Sequence, residues 1–172
     1  MNMQVLKRAR KPPQVGDIFA YRMPGFDYGF GRVIRTDAHT EAWHNLLLIY
    51  LYRAFSPDKA CIPVLDKRKL LMPPELLINR VLWTGGYFET VAHRPLDPED
   101  VLAVHCFEDP STIRKRYCDE YNRTLRKRTK PCGFFGVGSE YTTDVAISMA
   151  LGLEPDPDTL PPPRKERKRT RK

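Results

Sequence analysis

The chain has 172 residues, of which 41% are hydrophobic and 29% charged, so it is long enough for one domain with a hydrophobic core. Its 16 prolines argue against a helical bundle and favour a fold with many loops and strand edges. The longest apolar run, 46–52, is too short to cross a bilayer, and no signal-peptide segment follows the basic N-terminus. We therefore expect a soluble, cytoplasmic protein without a membrane partner.

The formal net charge of +8 comes from the two ends of the chain. Residues 1–11 carry 4 basic side chains and 164–172 carry 7, whereas the rest of the chain has 18 basic and 20 acidic residues. We predict a basic disordered lead-in over 1–12, a single α+β domain over 13–153, and a Pro-rich linker with a basic disordered tail over 154–172. The tail either keeps the protein soluble or contacts a polyanion such as nucleic acid without specificity.

Two segments with alternating side chains, 15–22 and 28–35, predict an antiparallel strand pair near the start of the chain. The Pro-Gly pair between them is typical of a turn. Gly29 and Gly31 share one face of the second strand, which indicates a bulge or the close approach of another backbone or a bulky ring. The alternative is that they only let the strand bend around a small barrel.

Further strands are predicted along the chain. Residues 46–52 are apolar on both faces, which favours a central strand covered on both sides. Pro63 restricts a strand at 59–65 to the edge of a sheet. Asp97 followed by proline predicts one helical turn. The remaining apolar runs and predicted strands lie at 76–82, 87–91 and 101–107.

Two segments predict helices. In 112–127, apolar and aromatic residues recur every four positions within a strongly basic stretch. In 142–151, Thr142 or Thr143 suits the N-cap and Gly152 ends the helix. The fold class is therefore α+β: a strongly bent, mostly antiparallel β-sheet, with a partly open barrel as an alternative, and one or two packed helices.

The sequence carries few signs of catalytic chemistry. The four cysteines are far apart and lack the spacing of a metal site, so we expect free thiols in a reducing cytosol. His39 and His44 lack a third ligand nearby, so no metal is expected. Serine-nucleophile, P-loop and dinucleotide motifs are missing, so we expect no cofactor and no enzymatic activity.

Three segments carry a family resemblance in order and spacing: Gly16–Phe19, Tyr28–Val33, and Trp83–Phe88 leading to Arg94–Leu96. Together they resemble the immunity protein 26 family of bacterial polymorphic toxin and contact-dependent inhibition systems. The resemblance spans 13–153 and implies a small intracellular protein that binds and neutralises a cognate toxin. The basic tail and the basic stretch at 111–130 are not part of the family pattern.

An inhibitor of this kind needs a rigid surface with a few aromatic or arginine anchors, and carboxylates if the toxin is a basic nuclease. The candidate binding residues are Tyr28, Arg32, Trp83, Tyr87, Glu99, Asp100, Glu108 and Asp109. For Trp83 and Phe88, a place in the core is the favoured interpretation. The expected partner is a toxin protein, and the sequence leaves open whether the protein is a monomer or a dimer. The alternative function is that of a small β-rich nucleic-acid- or ribosome-associated protein that acts through its basic segments.

Overall fold

A computed structural model of the protein describes residues 1–78, 80–110 and 115–157. The strands are β1 (Asp17–Arg22), β2 (Tyr28–Ala38), β3 (Leu46–Ser56), β4 (Glu75–Leu77), β5 (Glu89–His93), β6 (Cys106–Asp109), β7 (Arg116–Cys118), β8 (Cys132–Phe134) and β9 (Val137–Gly138). The helices are α1 (Val81–Gly85) and α2 (Glu140–Leu151), with a 3-10 turn at Pro98–Asp100.

The strands form two open sheets. One has six strands in the order β5-β1-β2-β3-β4-β9, and the other has three in the order β7-β6-β8. Pairing is antiparallel except between β4 and β9 and between β6 and β8. The predicted α+β class is confirmed, and the sheets do not close into a barrel.

The predicted strand pair is confirmed as β1 and β2. Phe19 lies opposite Gly31 and Tyr21 opposite Gly29 in the register. A side chain at either glycine would overlap the ring of the facing aromatic residue. The two glycines therefore make room for two buried rings, which is one of the alternatives that their alternate spacing left open.

Strand β3 is central and buried on both faces, as predicted from its apolar run. Leu47, Ile49 and Leu51 belong to one core cluster, whereas Leu48 and Tyr50 belong to another. Because side chains alternate across a strand, these two clusters lie on opposite faces of the larger sheet. The larger sheet is therefore the layer around which both cores are built.

Helix α2 confirms the predicted C-terminal helix, with a different cap. Ser139, rather than a threonine, is the N-cap, and its hydroxyl accepts a hydrogen bond from the Thr142 backbone N–H. Gly152 ends the helix in the left-handed conformation, with φ of 74°. Ile147 is completely buried in the core, so the helix packs on the larger sheet.

The first residues of the chain differ from the disordered lead-in that we predicted. The Asp144 carboxylate accepts hydrogen bonds from the backbone N–H groups of Asn2 and Met3, and Met3 is buried. Farther along, the Ala9 N–H donates to the carbonyl of Trp83. The apolar residues between the basic ones supply contacts that charge composition alone does not reveal. Most of the predicted C-terminal tail, 158–172, lies outside the described residues.

The predicted helix at 112–127 is wrong in its described part. Strand β7 begins at Arg116, and the chain then turns back so that the Leu125 N–H donates to the Tyr117 carbonyl. Asp119 accepts hydrogen bonds from the backbone N–H groups of Tyr121 and Arg123. Such local side-chain acceptors compete with a helix, so the four-residue spacing was misleading here. Residues 112–114 of the predicted helix lie outside the described residues.

Several strand boundaries also differ from the prediction. Residues 59–65 form no strand, and the apolar run at 76–82 is divided between β4 and α1. The strand predicted at 87–91 begins later, at Glu89, and the strand predicted at 101–107 begins only at Cys106. The helical turn expected after Asp97 is confirmed as the 3-10 turn, closed by a capping box between Asp97 and Asp100.

The expectation of four free thiols is wrong for one pair. Cys106 and Cys132 form a disulfide, with their Cα atoms 4.5 Å apart. They are register partners in β6 and β8, so strand pairing brings together two cysteines that are 26 positions apart. Cys61 and Cys118 are free thiols.

Candidate functional site

The structure brings together two of the sequence-predicted residues, Arg32 and Asp100. Their ion pair joins Arg32 Nη1 to Asp100 Oδ2 at 2.9 Å. Arg32 Nη2 also donates to the carbonyls of Arg94 and Pro95, each at 2.9 Å. The arginine side chain is only 6% exposed, so it holds the loop at 94–100 onto β2.

The aromatic candidates occupy different environments. Trp83 is 1% exposed, and its Nε1 donates to Thr90 Oγ1 at 3.0 Å, so its ring is part of the core. Tyr28 and Tyr87 are half-buried. The Arg22 guanidinium lies 4.9 Å from the centroid of the Tyr28 ring. Of the three aromatic candidates, only the tyrosines leave part of the side chain accessible to a partner.

The acidic candidates are divided between two elements. Glu99 and Asp100 belong to the 3-10 turn, whereas Glu108 and Asp109 belong to β6 in the smaller sheet. Asp109 is buried, and its Oδ2 lies 3.2 Å from Arg116 Nη1. Glu99 is exposed and Glu108 is half-buried, so these two carboxylates are the more accessible members of the set.

A buried polar network was missed from the sequence. The Tyr50 hydroxyl lies 2.5 Å from His105 Nε2, His105 Nδ1 lies 2.9 Å from Glu120 Oε1, and Arg35 Nε donates to the same oxygen at 3.1 Å. Burial raises the pKa of Tyr50 to about 12. Burial also acts to raise the pKa of Glu120, but the hydrogen bond and charge of His105 outweigh it and hold that pKa below its ordinary value.

This network resembles a proton relay in composition, but its three central members are buried. Tyr50 is completely buried, while His105 and Glu120 are 4% and 6% exposed. The Leu102 N–H also donates to the Tyr50 hydroxyl at 3.1 Å. The network therefore ties β3 to the segment around β6 and β7, and it offers no open position for a substrate.

A surface cleft lies beside β9, the edge strand of the larger sheet. This β9 groove has a volume of about 680 Å³ and lies between β4, β8, β9 and α2. Its lining includes Met72, Pro74, Glu75, Phe134, Val137 and Met149. Phe134 and Met149 are 65% and 68% exposed, so two large apolar side chains border the groove with most of their surface in water.

Glu75 places a carboxylate at the β9 groove. Its Oε1 accepts a hydrogen bond from Thr143 Oγ1 at 3.0 Å, whereas its Oε2 is buried and has no hydrogen-bond partner within the described residues. Burial raises the pKa of Glu75 to about 7, and the Thr143 hydroxyl partly opposes this rise. Nothing in the sequence marks this glutamate, because it precedes an apolar run as an ordinary strand-end residue would.

A second depression of about 700 Å³ adjoins the β9 groove. The two share Pro110, Gly136 and Val137. Trp43, which is 49% exposed, lines this second depression. The exposed tryptophan and the exposed residues of the β9 groove therefore border neighbouring parts of one surface.

The described residues contain no group of three or more His, Cys, Asp or Glu side chains that could hold a metal ion. Within the same ranges, no helix has the length and apolarity needed to cross a bilayer.

The described residues form an α+β domain with two adjoining surface clefts, the first of them lined mainly by apolar side chains. The family model for immunity protein 26 matches residues 14–119, more than half of the chain, and the chain belongs to that family. The match includes all three segments that carry the resemblance in the sequence. Searches of curated proteins and of solved structures found no match.

Proposed function

We propose that this immunity protein binds a cognate bacterial toxin domain in the cytoplasm and neutralises it by protein–protein contact, without catalysis. The observation that carries the proposal is the family match over 14–119, which includes every strand from β1 to β7. Neutralisation by contact needs a stable scaffold and a complementary surface rather than reactive groups.

The exposed side chains support this function. Aromatic residues and methionine are enriched at protein interfaces, and Trp43, Phe134, Tyr141 and Met149 are each about half exposed or more. Phe134 and Met149 line the β9 groove, and Tyr141 is adjacent to another lining residue, Thr142. Large apolar side chains gathered on one surface favour a binding role over a purely structural one.

The candidate residues from the sequence enter the proposal in two ways. The accessible members can contact a toxin directly: Tyr28, Tyr87, Glu99 and Glu108. The others support the surface: Arg32, Trp83 and Asp109 are buried, and the half-buried Asp100 pairs with Arg32.

The test begins with the gene next to the one that encodes this protein, because an immunity gene usually lies just after its toxin gene. The C-terminal domain of that neighbour is expressed in a bacterial host with and without the full chain. We expect growth arrest by the toxin domain alone, rescue on co-expression, and a complex of fixed stoichiometry in size-exclusion chromatography. Absence of both rescue and complex would contradict the proposal.

Catalytic and non-catalytic neutralisation are separated by recovering the toxin. After dissociation from the complex in denaturant and refolding, the toxin domain should keep its original mass and regain its toxicity. A lasting change in mass would mean that the protein modifies the toxin. If the protein instead binds generic RNA, with an affinity that falls steeply as salt rises, the nucleic-acid alternative is favoured.

A further inference from the structure

We propose that the β9 groove is the surface that receives the toxin, and that it takes a lysine or arginine side chain whose charged end pairs with Glu75. This inference rests on the proposed function, because the toxin is the partner that supplies the side chain. It goes further by assigning the contact surface and the chemistry of the group that enters it.

The first argument is the incomplete hydrogen bonding of Glu75. One carboxylate oxygen is held by Thr143, but Oε2 is buried with no partner among the described residues. A buried carboxylate that lacks a partner destabilises the folded protein. A cationic donor would supply the missing hydrogen bond together with a compensating charge.

The second argument is that the surrounding fold makes room for this carboxylate. A side chain at Gly138 would overlap Glu75 Oε1, so the glycine in β9 leaves the space that the carboxylate occupies. Gly138 is also a register partner of Leu77 in the pairing of β9 with β4. An apolar residue at position 75 would avoid the electrostatic cost of burying a carboxylate. Packing alone therefore does not require a glutamate at this position, whereas a ligand that pairs with the carboxylate accounts for it.

The third argument is the shape and polarity of the walls. Lysine and arginine have apolar stems that lie against apolar surfaces while the charged end reaches a polar group. Pro74, Val137 and Phe134 offer such a surface. Met72 and Met149 also line the groove, and their flexible side chains can shift to let an entering group reach Oε2.

The fourth argument is charge. The charged side chains that line the β9 groove within the described ranges are Glu75 and Glu108, and both are acidic. Lys115 Nζ lies 3.7 Å from Glu108 Oε1, but the lysine is 75% exposed, so this ion pair neutralises the groove only weakly. The groove therefore attracts a cation more strongly than an anion or a neutral group.

The first experiment needs no toxin and uses n-hexylamine as a probe for a lysine stem, with 1-hexanol as the uncharged control. Amide chemical shifts of the full chain are followed by NMR during each titration at pH 8. We expect saturable shifts at Gly133, Gly136 and Gly138 with the amine, and affinity about tenfold or more lower for 1-hexanol and for the Glu75→Gln variant. Shifts confined to other surfaces, or equal amine affinity in the variant, would overturn the proposal.

The second experiment measures toxin affinity by isothermal titration calorimetry. We expect Glu75→Gln to weaken toxin binding about tenfold to a hundredfold while circular dichroism shows an unchanged fold. The matched control is Glu154→Gln, an exposed glutamate beyond the end of α2, and it should bind like the original protein. Unchanged toxin affinity in Glu75→Gln would overturn the groove as the contact surface and leave the immunity function standing. Failure of the unsubstituted protein to bind or protect would instead overturn the function itself.

Discussion

Replacing Glu75 with glutamine should make the unbound protein more stable at neutral pH. Glutamine has nearly the same shape as glutamate and keeps an oxygen that can accept the Thr143 hydrogen bond, but it carries no charge to be buried. The substitution therefore removes the cost of placing a carboxylate in an apolar site. It leaves the packing around β4 and α2 almost unchanged.

The magnitude follows from the pKa of Glu75, which burial raises from 4.5 to about 7. Below pH 4.5 the carboxyl is protonated in the folded and unfolded protein, so it contributes no pH-dependent penalty. Between pH 4.5 and 7 the unfolded state binds fewer protons than the folded state, so this group lowers stability as pH rises. At about 1.4 kcal/mol per pH unit, the ionised Glu75 side chain lowers the free energy of unfolding by about 3 kcal/mol above pH 7.

The assay is urea unfolding followed by circular dichroism at pH 4, 6 and 8. We expect the two proteins to be close in free energy of unfolding at pH 4, and the Glu75→Gln variant to be more stable by about 3 kcal/mol at pH 8. The pKa of Glu120 is lowered instead, but Glu120 is present in both proteins, so its effect cancels in the difference. Glu154→Gln should follow the original protein at each pH. A difference that does not change with pH would refute the reasoning.

Three further changes test the scaffold. Arg32→Leu should lower the free energy of unfolding by about 3 kcal/mol, because it removes the ion pair to Asp100 and the two hydrogen bonds to the carbonyls of Arg94 and Pro95. A loss below about 1 kcal/mol in urea unfolding would contradict this. Asp144→Ala should speed hydrogen exchange of the backbone amides in 2–9 about tenfold, because the carboxylate that accepts the Asn2 and Met3 hydrogen bonds is lost. Exchange is measured by mass spectrometry, and an unchanged rate would mean that other contacts hold this segment. Changing Cys106 and Cys132 to serine should lower the free energy of unfolding by about 3.5 kcal/mol, the value expected for a closed loop of 26 residues. The loss should disappear when the original protein and the variant are both measured under reducing conditions. Equal stability under oxidising conditions would show that no disulfide forms.

Sequence patterns predicted the structure best where the conformation of a strand or helix depends mainly on its own residues. Alternation over two short segments identified β1 and β2, whereas the glycines in β2 left a bend and the close approach of bulky rings as alternatives, between which the structure decides for the rings. The apolar run of β3 predicted a strand covered on both faces. Helix α2 was identified from its cap and stop residues, with an error of a few residues in the position of the cap.

The same patterns failed where contacts from elsewhere compete with local preference. The four-residue spacing near Tyr121 predicted a helix, but the backbone bonds to the Asp119 side chain and to β6 instead. Trp83 was named as a candidate anchor with a core position favoured, and the fold places it in the core. The basic composition of the first residues predicted disorder, although Met3 is buried and its backbone N–H donates to the Asp144 carboxylate in α2.

The amino-acid sequence by itself determined the α+β class, the first strand pair, the central strand and the family, because these depend on local periodicity and on short motifs. Only the tertiary structure decided which distant residues meet: Arg32 with Asp100, Cys106 with Cys132, and Glu75 with the walls of the β9 groove. The physical reason is that local sequence limits backbone conformation, whereas burial and pairing depend on all the elements that pack together. Glu75, at the start of the short strand β4, is a candidate toxin contact only because β9 and α2 pack beside it.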